Sequence, residues 1–324
     1  MELLKVKDLK TYFYTYRGVV KALNGVELDI LDGEVVGLVG ETGCGKSVTA
    51  RSIMRLIDPP GKIVSGEIIL EGKDLLKFKE DDMAEIRGKK ISMIFQEPLI
   101  SLNPVMNVGM QIKETLENNL GYYGKEAEKE AMKLLEQVGL PDPFNFMKRY
   151  PHELSGGMAQ RVLIAIAIAA NPKLLIADEP TSSLDVTIQS QILELIKNLM
   201  KIGRISSVLF ITHDLGVASQ ICDKIAVMYG GKIVEFGDII KIFETPLHPY
   251  TIGLMKAIPK PGYYDRMYSI PGELPDLVSL PSGCIFHPRC PYAREVCKEV
   301  EPSHHEVEDS HIAVCHLVEK NRDV

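Results

Sequence analysis

One eight-residue stretch, residues 40–47 (GETGCGKS), constrains the fold of this 324-residue chain more than any other. It matches the pattern G-x-x-x-x-G-K-[ST] at every fixed position. Residues 33–40 (GEVVGLVG) are β-branched and end in glycine, which predicts a buried strand, and the residues after Ser47 have helical spacing. Backbone N–H groups converge on a phosphate in this strand, glycine-rich turn and helix context. The stretch therefore predicts a phosphate-binding loop in an α/β protein.

The side chains at the end of this loop have distinct predicted roles. Lys46 reaches the β- and γ-phosphate oxygens of a nucleotide, and the hydroxyl of Ser47 binds Mg²⁺. Cys44 stands where serine is frequent and Val48 replaces a possible hydroxyl, but the loop binds chiefly through backbone N–H groups, so neither change should abolish binding. The Cys44 thiol could make the site sensitive to thiol reagents. The predicted nucleotide contacts are Gly40, Glu41, Thr42, Gly43, Cys44, Gly45, Lys46, Ser47 and Val48.

A second apolar run, residues 173–180 (KLLIADEP), supplies two acidic side chains. Four apolar residues precede Asp178 and Glu179, which places both carboxylates at the carboxyl end of a predicted buried strand. Ligands of open parallel sheets collect at that edge. Asp178 is suited to hold Mg²⁺, and Glu179 is suited to polarise an attacking water.

Charge and hydropathy exclude several other classes of protein. The chain has 37 Lys+Arg against 44 Asp+Glu, a formal net charge of -7, which argues against a nucleic-acid partner. The N-terminal residues MELLKVKDLK lack an uninterrupted apolar stretch and do not indicate a secretory signal. The most apolar run, residues 162–170 (VLIAIAIAA), is less than half of the about 20 residues that cross a bilayer. We expect a soluble, cytosolic chain that can dock on a membrane protein.

The motif at residues 154–161 (LSGGMAQR) carries a resemblance to a known family. With the two nucleotide motifs in order around it, the chain resembles the nucleotide-binding subunits of ATP-binding cassette (ABC) transporters, whose signature usually reads LSGGQ. Met158 stands where glutamine is commonest, but Ser155, Gly156 and Gly157 are retained and suit a γ-phosphate at a helix start. The resemblance implies an α/β P-loop NTPase cassette with a mixed-sheet core, an antiparallel β subdomain and a helical subdomain at about 97–160.

The remaining elements of the family also fall in order and imply roles for three residues. Gln96 in IFQEP matches the glutamine that contacts Mg²⁺ and relays nucleotide state to the membrane partner. Asp185 ends SSLD at the D-loop position, and His213 in ITHD matches the switch histidine that contacts the γ-phosphate. The implied catalytic residues are Glu179, His213 and Gln96, and the implied magnesium residues are Ser47, Gln96 and Asp178.

The N-terminal stretch LKTYFYTYRGVVKAL offers several aromatic side chains for stacking on adenine. Counting back from VKALNGV in the manner of related cassettes favours Phe13. Tyr12 and Tyr14 are alternatives, and an aromatic side chain at this place is also typical of an ordinary edge strand.

The resemblance implies a machine that works as a pair. In the family two cassettes bind head to tail, so that the signature of one closes on ATP held by the phosphate loop of the other. ATP binding then closes the pair, and hydrolysis with phosphate release reopens it. Glu179 and His213 are both present, so the sequence gives no sign of a degenerate site.

The sequence after residue 245 indicates which branch of the family the chain resembles. LHPYTIGLMKAIP and IPGELPDLVSLPSGCIFHPRCPYAREVC resemble, in order, the C-terminal region of oligopeptide/dipeptide importer ATPases. We expect a nucleotide-binding domain at 1–245 and an importer-type extension at 246–324. The resemblance implies two transmembrane permease subunits, a second ATPase that is a sibling or a copy, and an extracellular solute-binding protein. It also implies a peripheral position on the cytoplasmic face of the membrane, with peptides as cargo and oligosaccharides or nickel as alternatives.

Four of the 6 cysteines lie in the last 41 residues, at Cys284, Cys290, Cys297 and Cys315. Their gaps of five, six and seventeen residues match neither the usual zinc spacing nor ferredoxin spacing, and a reducing cytosol disfavours disulfides. In the importer family this quartet is associated with a four-iron, four-sulfur cluster, so the resemblance implies that cofactor, with zinc and free thiols as alternatives. His287 and His316 are second-choice ligands, and we expect a structural role for the cluster.

Two alternatives to a transport ATPase are a cassette that acts on DNA or ribosomes and a noncatalytic subunit. Cassettes that repair DNA need a long heptad insertion between the phosphate loop and the signature, and ribosomal cassettes need two cassettes in one chain, whereas this chain has one phosphate loop and a compact insert. A noncatalytic binding or regulatory subunit is the further alternative, and ATP turnover that depends on Glu179 would exclude it.

Overall fold

The computed structural model describes residues 1–182, 184–258, 268–308 and 310–319. Parts of the expected extension, 259–267, 309 and 320–324, lie outside the described residues. The strands are β1 Glu2–Thr15, β2 Gly18–Leu31, β3 Val35–Val39, β4 Gly61–Leu70, β5 Lys73–Asp74, β6 Ile91–Ile94, β7 Leu174–Asp178, β8 Ser207–Thr212, β9 Lys224–Tyr229, β10 Lys232–Asp238, β11 His305–Glu308 and β12 His311–Ala313. The helices are α1 Lys46–Ile53, α2 Glu80–Ile86, α3 Pro98–Ser101, α4 Val108–Leu120, α5 Gly124–Gln137, α6 Pro143–Phe146, α7 Gly156–Ala167, α8 Val186–Lys201, α9 Leu215–Ile221, α10 Ile239–Glu244, α11 Pro249–Ala257, α12 Glu295–Glu299 and α13 His316–Glu319.

The chain divides into two units. The first unit contains residues 1–76 and 212–324, and the second contains residues 77–211. The second unit is thus one continuous segment, and the chain returns to the first unit after it.

The first unit contains the strand that leads into the phosphate loop. All five residues of β3 are buried, as the β-branched run predicts for a strand covered on both faces. This strand pairs in parallel with β9, which pairs antiparallel with β10, and β12 and β11 continue the order antiparallel. Both pairing directions are therefore present, and the predicted mixed sheet is confirmed.

An antiparallel sheet of the first unit holds the N-terminal aromatic residues. Its strand order is β2-β1-β4-β5, and β1 and β2 form a long hairpin. The side chains of Leu4, Leu9, Leu23 and Ile30 are fully buried, so one face of this hairpin belongs to the core. This sheet matches the predicted antiparallel β subdomain.

The second unit combines a short parallel sheet with a group of helices. Strands β6, β7 and β8 pair in parallel, with Leu174 opposite Ser207 and Asp178 opposite Ile211. All five residues of β7 are buried, so the strand predicted from LLIAD forms and ends at the first carboxylate. Parallel pairing puts the carboxyl ends of these strands at one edge.

Helices α3 to α7 of the second unit follow the periodicity of the sequence. In α5 the buried residues Ala127, Ala131, Leu134 and Leu135 recur at helical spacing and face the neighbouring helices α4 and α7. The side chain of Asn107 caps α4 by accepting from the Met110 N–H at 2.8 Å. Residues 162–167 of the apolar run at 162–170 lie in α7, and most of the run is buried. None of the helices in the described residues has both the length and the apolar character needed to cross a bilayer.

A buried carboxylate in β10 fastens the segment after residue 245 to the first unit. Glu235 is 1% exposed and accepts hydrogen bonds from the backbone N–H groups of Leu247 and His248, both at 2.8 Å. The ring Nε2 of His311 lies 2.8 Å from the same carboxylate. Burial lowers the pKa of His248 to about 4, against the opposing effect of Glu235, so this ring is neutral and its Nδ1 accepts from the Tyr250 N–H at 3.0 Å.

We predict that Glu235→Ala destabilises the first unit by about 3 kcal/mol, because it leaves several buried donors without their acceptor. Urea unfolding followed by fluorescence and circular dichroism measures the change. Glu244→Ala removes an exposed carboxylate from the neighbouring α10 and should shift stability by less than about 0.5 kcal/mol. Equal unfolding midpoints for the two variants would contradict the assigned role of Glu235.

Candidate nucleotide-binding site

The phosphate loop, residues 40–47, connects β3 to α1 and lies tightly against the backbone of the first unit. A Cβ atom on Gly40 would lie 2.2 Å from the Met228 carbonyl oxygen, which no substitution could relieve without moving the strand. Gly45 precedes α1 with a φ of 115°, and its Cβ would lie 2.8 Å from the carbonyl oxygen of Ala22. Both glycines are required for the close approach of the loop to its support.

The first turn of α1 presents the donors that a phosphate needs. Lys46 is 4% exposed, and its ammonium group donates to the carbonyl oxygens of Gly40 at 2.8 Å and Glu41 at 3.1 Å. Its side chain therefore lies along the loop. Ser47 and Val48 follow in the same turn and are half-buried, while Thr42 and Gly43 are exposed at the tip of the loop. Positively polarised N–H groups at a helix start attract anions, so the loop and α1 form an anion-binding arrangement.

Cys44 is a buried residue that anchors the phosphate loop to the first unit. Its side chain is fully buried, and its carbonyl oxygen accepts from the Gly231 N–H at 2.8 Å. Burial raises the pKa of the Cys44 thiol to about 11, despite the opposing charge of Lys46. The structure thus argues against the thiol-reagent sensitivity expected from the sequence, because reaction requires an accessible thiolate.

The three N-terminal aromatic candidates differ in their surroundings. Phe13 lies in β1 opposite Val20 and Gly61, and its ring covers the Gly61 backbone, since a Cβ there would be 2.7 Å from the ring. The Tyr12 hydroxyl donates to Asn24 at 3.0 Å, while Tyr14 is 48% exposed. Phe13 is thus a half-buried ring held in place by the sheet, and its stacking on adenine stays a prediction.

Two carboxylates stand at the carboxyl end of β7 in the second unit, and the second of them contacts Gln96. Asp178 and Glu179 are 3% and 9% exposed, and the Gln96 side-chain amide donates to the Glu179 carboxylate at 3.3 Å. The Glu179 N–H donates to the Ile211 carbonyl at 3.0 Å, which ties this residue to the end of β8. The structure therefore brings together two of the three catalytic candidates.

Glu179 has an uncommon backbone conformation. Its φ is 47°, in the left-handed region that costs a residue with a side chain on the order of 1 kcal/mol or more. Such conformations persist where the surrounding structure holds them, and they concentrate at functional sites.

His213 follows β8 directly and is exposed. The next residue, Asp214, caps α9 by accepting from the N–H groups of Gly216 at 2.7 Å and Val217 at 3.3 Å. The Thr212 hydroxyl accepts from the Asp214 N–H at 3.1 Å. The backbone on the C-terminal side of His213 is thus fixed, and the structure places this residue in the first unit.

The signature and D-loop residues line one concave surface of the second unit. Ser155 caps α7 by accepting from the Met158 N–H at 3.4 Å, and Asp185 caps α8 by accepting from the Ile188 N–H at 3.0 Å. A cavity of about 550 Å³ lies between these helix starts. Its lining includes Ser155, Gly156, Gly157, Met158, Leu184 and Asp185. Two helix N-termini at one cavity suit an anionic ligand.

The four C-terminal cysteines influence one another electrostatically. Cys284, Cys297 and Cys315 are buried and Cys290 is half-buried. Burial raises the pKa of the Cys315 thiol to about 11, and the charges of the other three cysteines add to that shift. The four sulfur atoms therefore lie in one region of the first unit.

The structure does not arrange these thiols as a finished metal site. Within the part of the chain that the structure describes, no group of three or more His, Cys, Asp or Glu side chains is placed to hold a metal ion. The His287 ring Nδ1 lies 3.0 Å from the Cys284 carbonyl oxygen, and the His316 ring Nε2 lies 2.9 Å from the Val300 carbonyl oxygen. In each of these two histidines, one ring nitrogen is thus at hydrogen-bond distance from a backbone carbonyl oxygen.

Sequence reasoning missed two residues that contact the phosphate loop. The Tyr250 hydroxyl accepts from the Glu41 N–H at 3.0 Å, and the Arg289 guanidinium binds the Glu41 carboxylate. Both residues stand in the strings HPYT and PRC, which marked the importer branch. The two sequence strings indicate the importer branch of the family. They do not predict that their residues contact a loop more than 200 residues away in the sequence.

Known structures identify the class of this fold. A dimeric ATP-binding cassette in a post-hydrolysis state, bound to ADP and phosphate, matches with a TM-score of 0.65 and 29% identity, over 73% of this chain and 99% of that one. A component of an ABC transporter complex from Clostridium perfringens matches with a TM-score of 0.65 and 28% identity, over 76% of this chain and 92% of that one. The fold is that of an ABC cassette.

Sequence relatives define the family more narrowly. The ABC transporter family profile matches residues 23–182, and the profile of the oligopeptide/dipeptide transporter C-terminal region matches residues 234–297. The oligopeptide transport ATP-binding protein of Bacillus subtilis is 51% identical over 95% of this chain and 87% of its own length. The dipeptide transport ATP-binding protein of Escherichia coli is 44% identical over 98% of this chain and 97% of its own length. The chain therefore belongs to the oligopeptide/dipeptide family of ABC-type ATPases.

We predict that Cys44 resists alkylation in the folded chain. With a thiol pKa of about 11, less than about 1% of the thiol is ionised at pH 8, and the sulfur is buried as well. Iodoacetamide labelling followed by peptide mass spectrometry should show reaction at least about 100-fold slower than in urea, with a rate that increases with pH up to about 11. A folded-state rate within tenfold of the urea rate would contradict this description of the loop.

Proposed function

We propose that this chain is the ATP-hydrolysing subunit that powers uptake of peptides through a membrane ABC importer. The observation that carries the hydrolytic part is the placement of Glu179 at the end of β7, in a strained turn and in contact with Gln96. The peptide cargo is supported by relatives named for oligopeptide and dipeptide transport, whose similarity extends over nearly the whole chain. We propose the division into a cassette at 1–245 and an importer-type extension at 246–324, and the profile match at residues 234–297 supports the same branch.

The proposed chemistry assigns one task to each side chain. The backbone N–H groups of residues 40–48 and the Lys46 ammonium hold the phosphates of ATP, and Phe13 stacks on the adenine. Glu179 accepts a proton from the attacking water, and His213 donates a hydrogen bond to the γ-phosphate. Lys46 is held along the loop by its hydrogen bonds to the carbonyl oxygens of Gly40 and Glu41, and Glu179 accepts a hydrogen bond from Gln96, which supports two of these assignments.

Magnesium fits the donor set of this proposal. Ser47, Gln96 and Asp178 offer a hydroxyl, an amide and a carboxylate oxygen, which are the oxygen ligands that Mg²⁺ prefers. When bound, the ion neutralises negative charge that develops on the phosphate oxygens. Asp178 is the last residue of the buried strand β7, and ligands of parallel sheets collect at the carboxyl ends of their strands, which supports this assignment.

The cavity at the signature supports assembly with a second ATPase. Ser155, Gly156 and Gly157 begin α7 at an open surface, and Asp185 begins α8 beside them. In the proposed head-to-tail pair, a sibling or a second copy presents its bound ATP to this surface. The pair works at the cytoplasmic face of the membrane, on two permease subunits fed by an extracellular solute-binding protein.

We also propose that the cysteine quartet binds a four-iron, four-sulfur cluster with a structural role. Four thiols with no carboxylate among them suit iron-sulfur or zinc chemistry. The Cys284 N–H donates to the Cys297 carbonyl oxygen at 2.8 Å, which supports a common location for these two members of the quartet. The helices and strands that the structure describes in residues 284–308 and 310–315 are short, so a cross-link through the four thiols would fix this segment.

Replacement of the catalytic base tests the hydrolytic part of the proposal. Glu179→Gln should lower steady-state ATP turnover at least about 100-fold, because the amide cannot accept the proton of the attacking water. Its ATP dissociation constant should stay within about threefold, since the phosphate loop is unchanged. Glu194→Gln, an exposed position in α8, is the matched control and should keep full turnover. Full turnover by Glu179→Gln would exclude the assigned role.

Metal analysis after anaerobic purification tests the cluster. We expect about four irons and four acid-labile sulfides per chain, and loss of both in Cys290→Ser. Cys222→Ser changes a buried cysteine outside the quartet and should keep the iron. Stoichiometric zinc without iron would replace the cluster by a structural zinc site, and folded, metal-free protein would return the quartet to free thiols.

A further inference from the structure

The C-terminal extension holds the second residue of the phosphate loop through a two-pronged ion pair. The Arg289 guanidinium donates to both carboxylate oxygens of Glu41, at 2.9 Å and 3.1 Å. Side-chain exposure is 6% for the arginine and 29% for the glutamate, so the pair is largely shielded from water. Paired, parallel hydrogen bonds of this kind fix orientation as well as distance.

Arg289 is itself fixed by neighbours of the same unit. Its Nε donates to the Pro271 carbonyl at 2.9 Å, and Nη2 donates to the Ile270 carbonyl at 3.3 Å. The guanidinium also lies 5.7 Å from the centre of the Tyr229 ring. A guanidinium stays charged in proteins, and these contacts keep the Arg289 guanidinium oriented without a nucleotide.

Tyr250 holds the backbone of the same loop residue. Its hydroxyl accepts from the Glu41 N–H at 3.0 Å, and its ring is fully buried between the rings of Tyr229 and Phe286, with centroids at 4.7 Å and 5.5 Å. Glu41 is thus held at its side chain and at its main chain by two residues from beyond position 245.

The charge of Glu41 makes this arrangement matter for nucleotide binding. A carboxylate in a loop that receives a triphosphate repels the ligand unless a cation neutralises it. Lys46 donates to the carbonyl oxygens of Gly40 and Glu41 and is needed by the phosphates. Arg289 supplies the separate positive charge.

We propose that Arg289 is a positioning residue of the nucleotide site, which neutralises Glu41 and, with Tyr250, fixes the phosphate loop, so that the extension sets the affinity for ATP. The proposal rests on the ATP-binding part of the proposed function. It differs from a purely structural link between extension and cassette, because it gives the two partners of the ion pair opposite effects on affinity.

Four variants test the proposal by equilibrium titration with Mg-ATP. Arg289→Ala should raise the ATP dissociation constant about tenfold, because Glu41 then faces the phosphates without its cation. Glu41→Gln should bind ATP as tightly as wild type or more tightly, since the arginine charge is no longer neutralised. The double variant should return to within about threefold of wild type. Lys298→Ala, which removes an exposed ion pair with Glu295 in the same extension, should have no effect.

Steady-state kinetics and thermal unfolding complete the test. Arg289→Ala should raise the KM for ATP with little change in kcat, and its melting temperature confirms that the variant is folded. If Arg289→Ala fails to fold, Glu41→Gln alone reports the sign, and a loss of ATP affinity in that variant would overturn the proposal. Equal losses of affinity in Arg289→Ala and the double variant, or no loss in either, would overturn the proposed role of Arg289 and leave the proposed function of the chain intact. Absence of ATP binding by the wild-type chain would overturn both.

Discussion

The close approach of the phosphate loop to the backbone of β9 is the constraint on which the rest of the first unit depends. Gly40 lies so near the Met228 carbonyl that a single added carbon would collide with it at 2.2 Å. Parallel pairing of β3 with β9 sets that distance, and the buried chain at Cys44 supports the loop from within. The N–H groups of α1 therefore point at a fixed place, which is what binding a phosphate through the main chain requires.

The catalytic and structural tasks share residues throughout the chain. Ser155 and Asp185 cap helices with the same side-chain oxygens that mark the signature and the D-loop. Glu179 holds the end of β8 with its N–H while its carboxylate accepts from Gln96. The phosphate loop, Phe13 and His213 belong to the first unit, and the acidic pair with the signature belongs to the second. Each unit therefore holds only part of the residue set that we propose for ATP turnover.

Local patterns made much of this structure predictable. The runs VVGLV, LLIAD and SVLFIT form buried strands. Ala127, Ala131 and Leu134 recur at helical spacing and form one face of α5. The short-range pattern of apolar residues determines these elements. Contacts between distant parts of the chain were not predictable in this way. The Glu41–Arg289 pair joins residues 248 apart, and the burial of Cys44 depends on neighbours that no local pattern names. The left-handed turn at Glu179 also has no signature of its own, since glutamate rarely adopts it.

Recognition of the ATP phosphates is assigned to the main chain of the phosphate loop. Comparing the affinities of the wild-type chain for ATP and for AMP by equilibrium titration with Mg²⁺ tests this assignment, because the two ligands share the base and the sugar. We expect at least about 100-fold tighter binding of ATP, since AMP lacks the β- and γ-phosphates that we assign to the loop and Lys46. Equal affinities would contradict the assignment, because they would show that the loop is not the binding element.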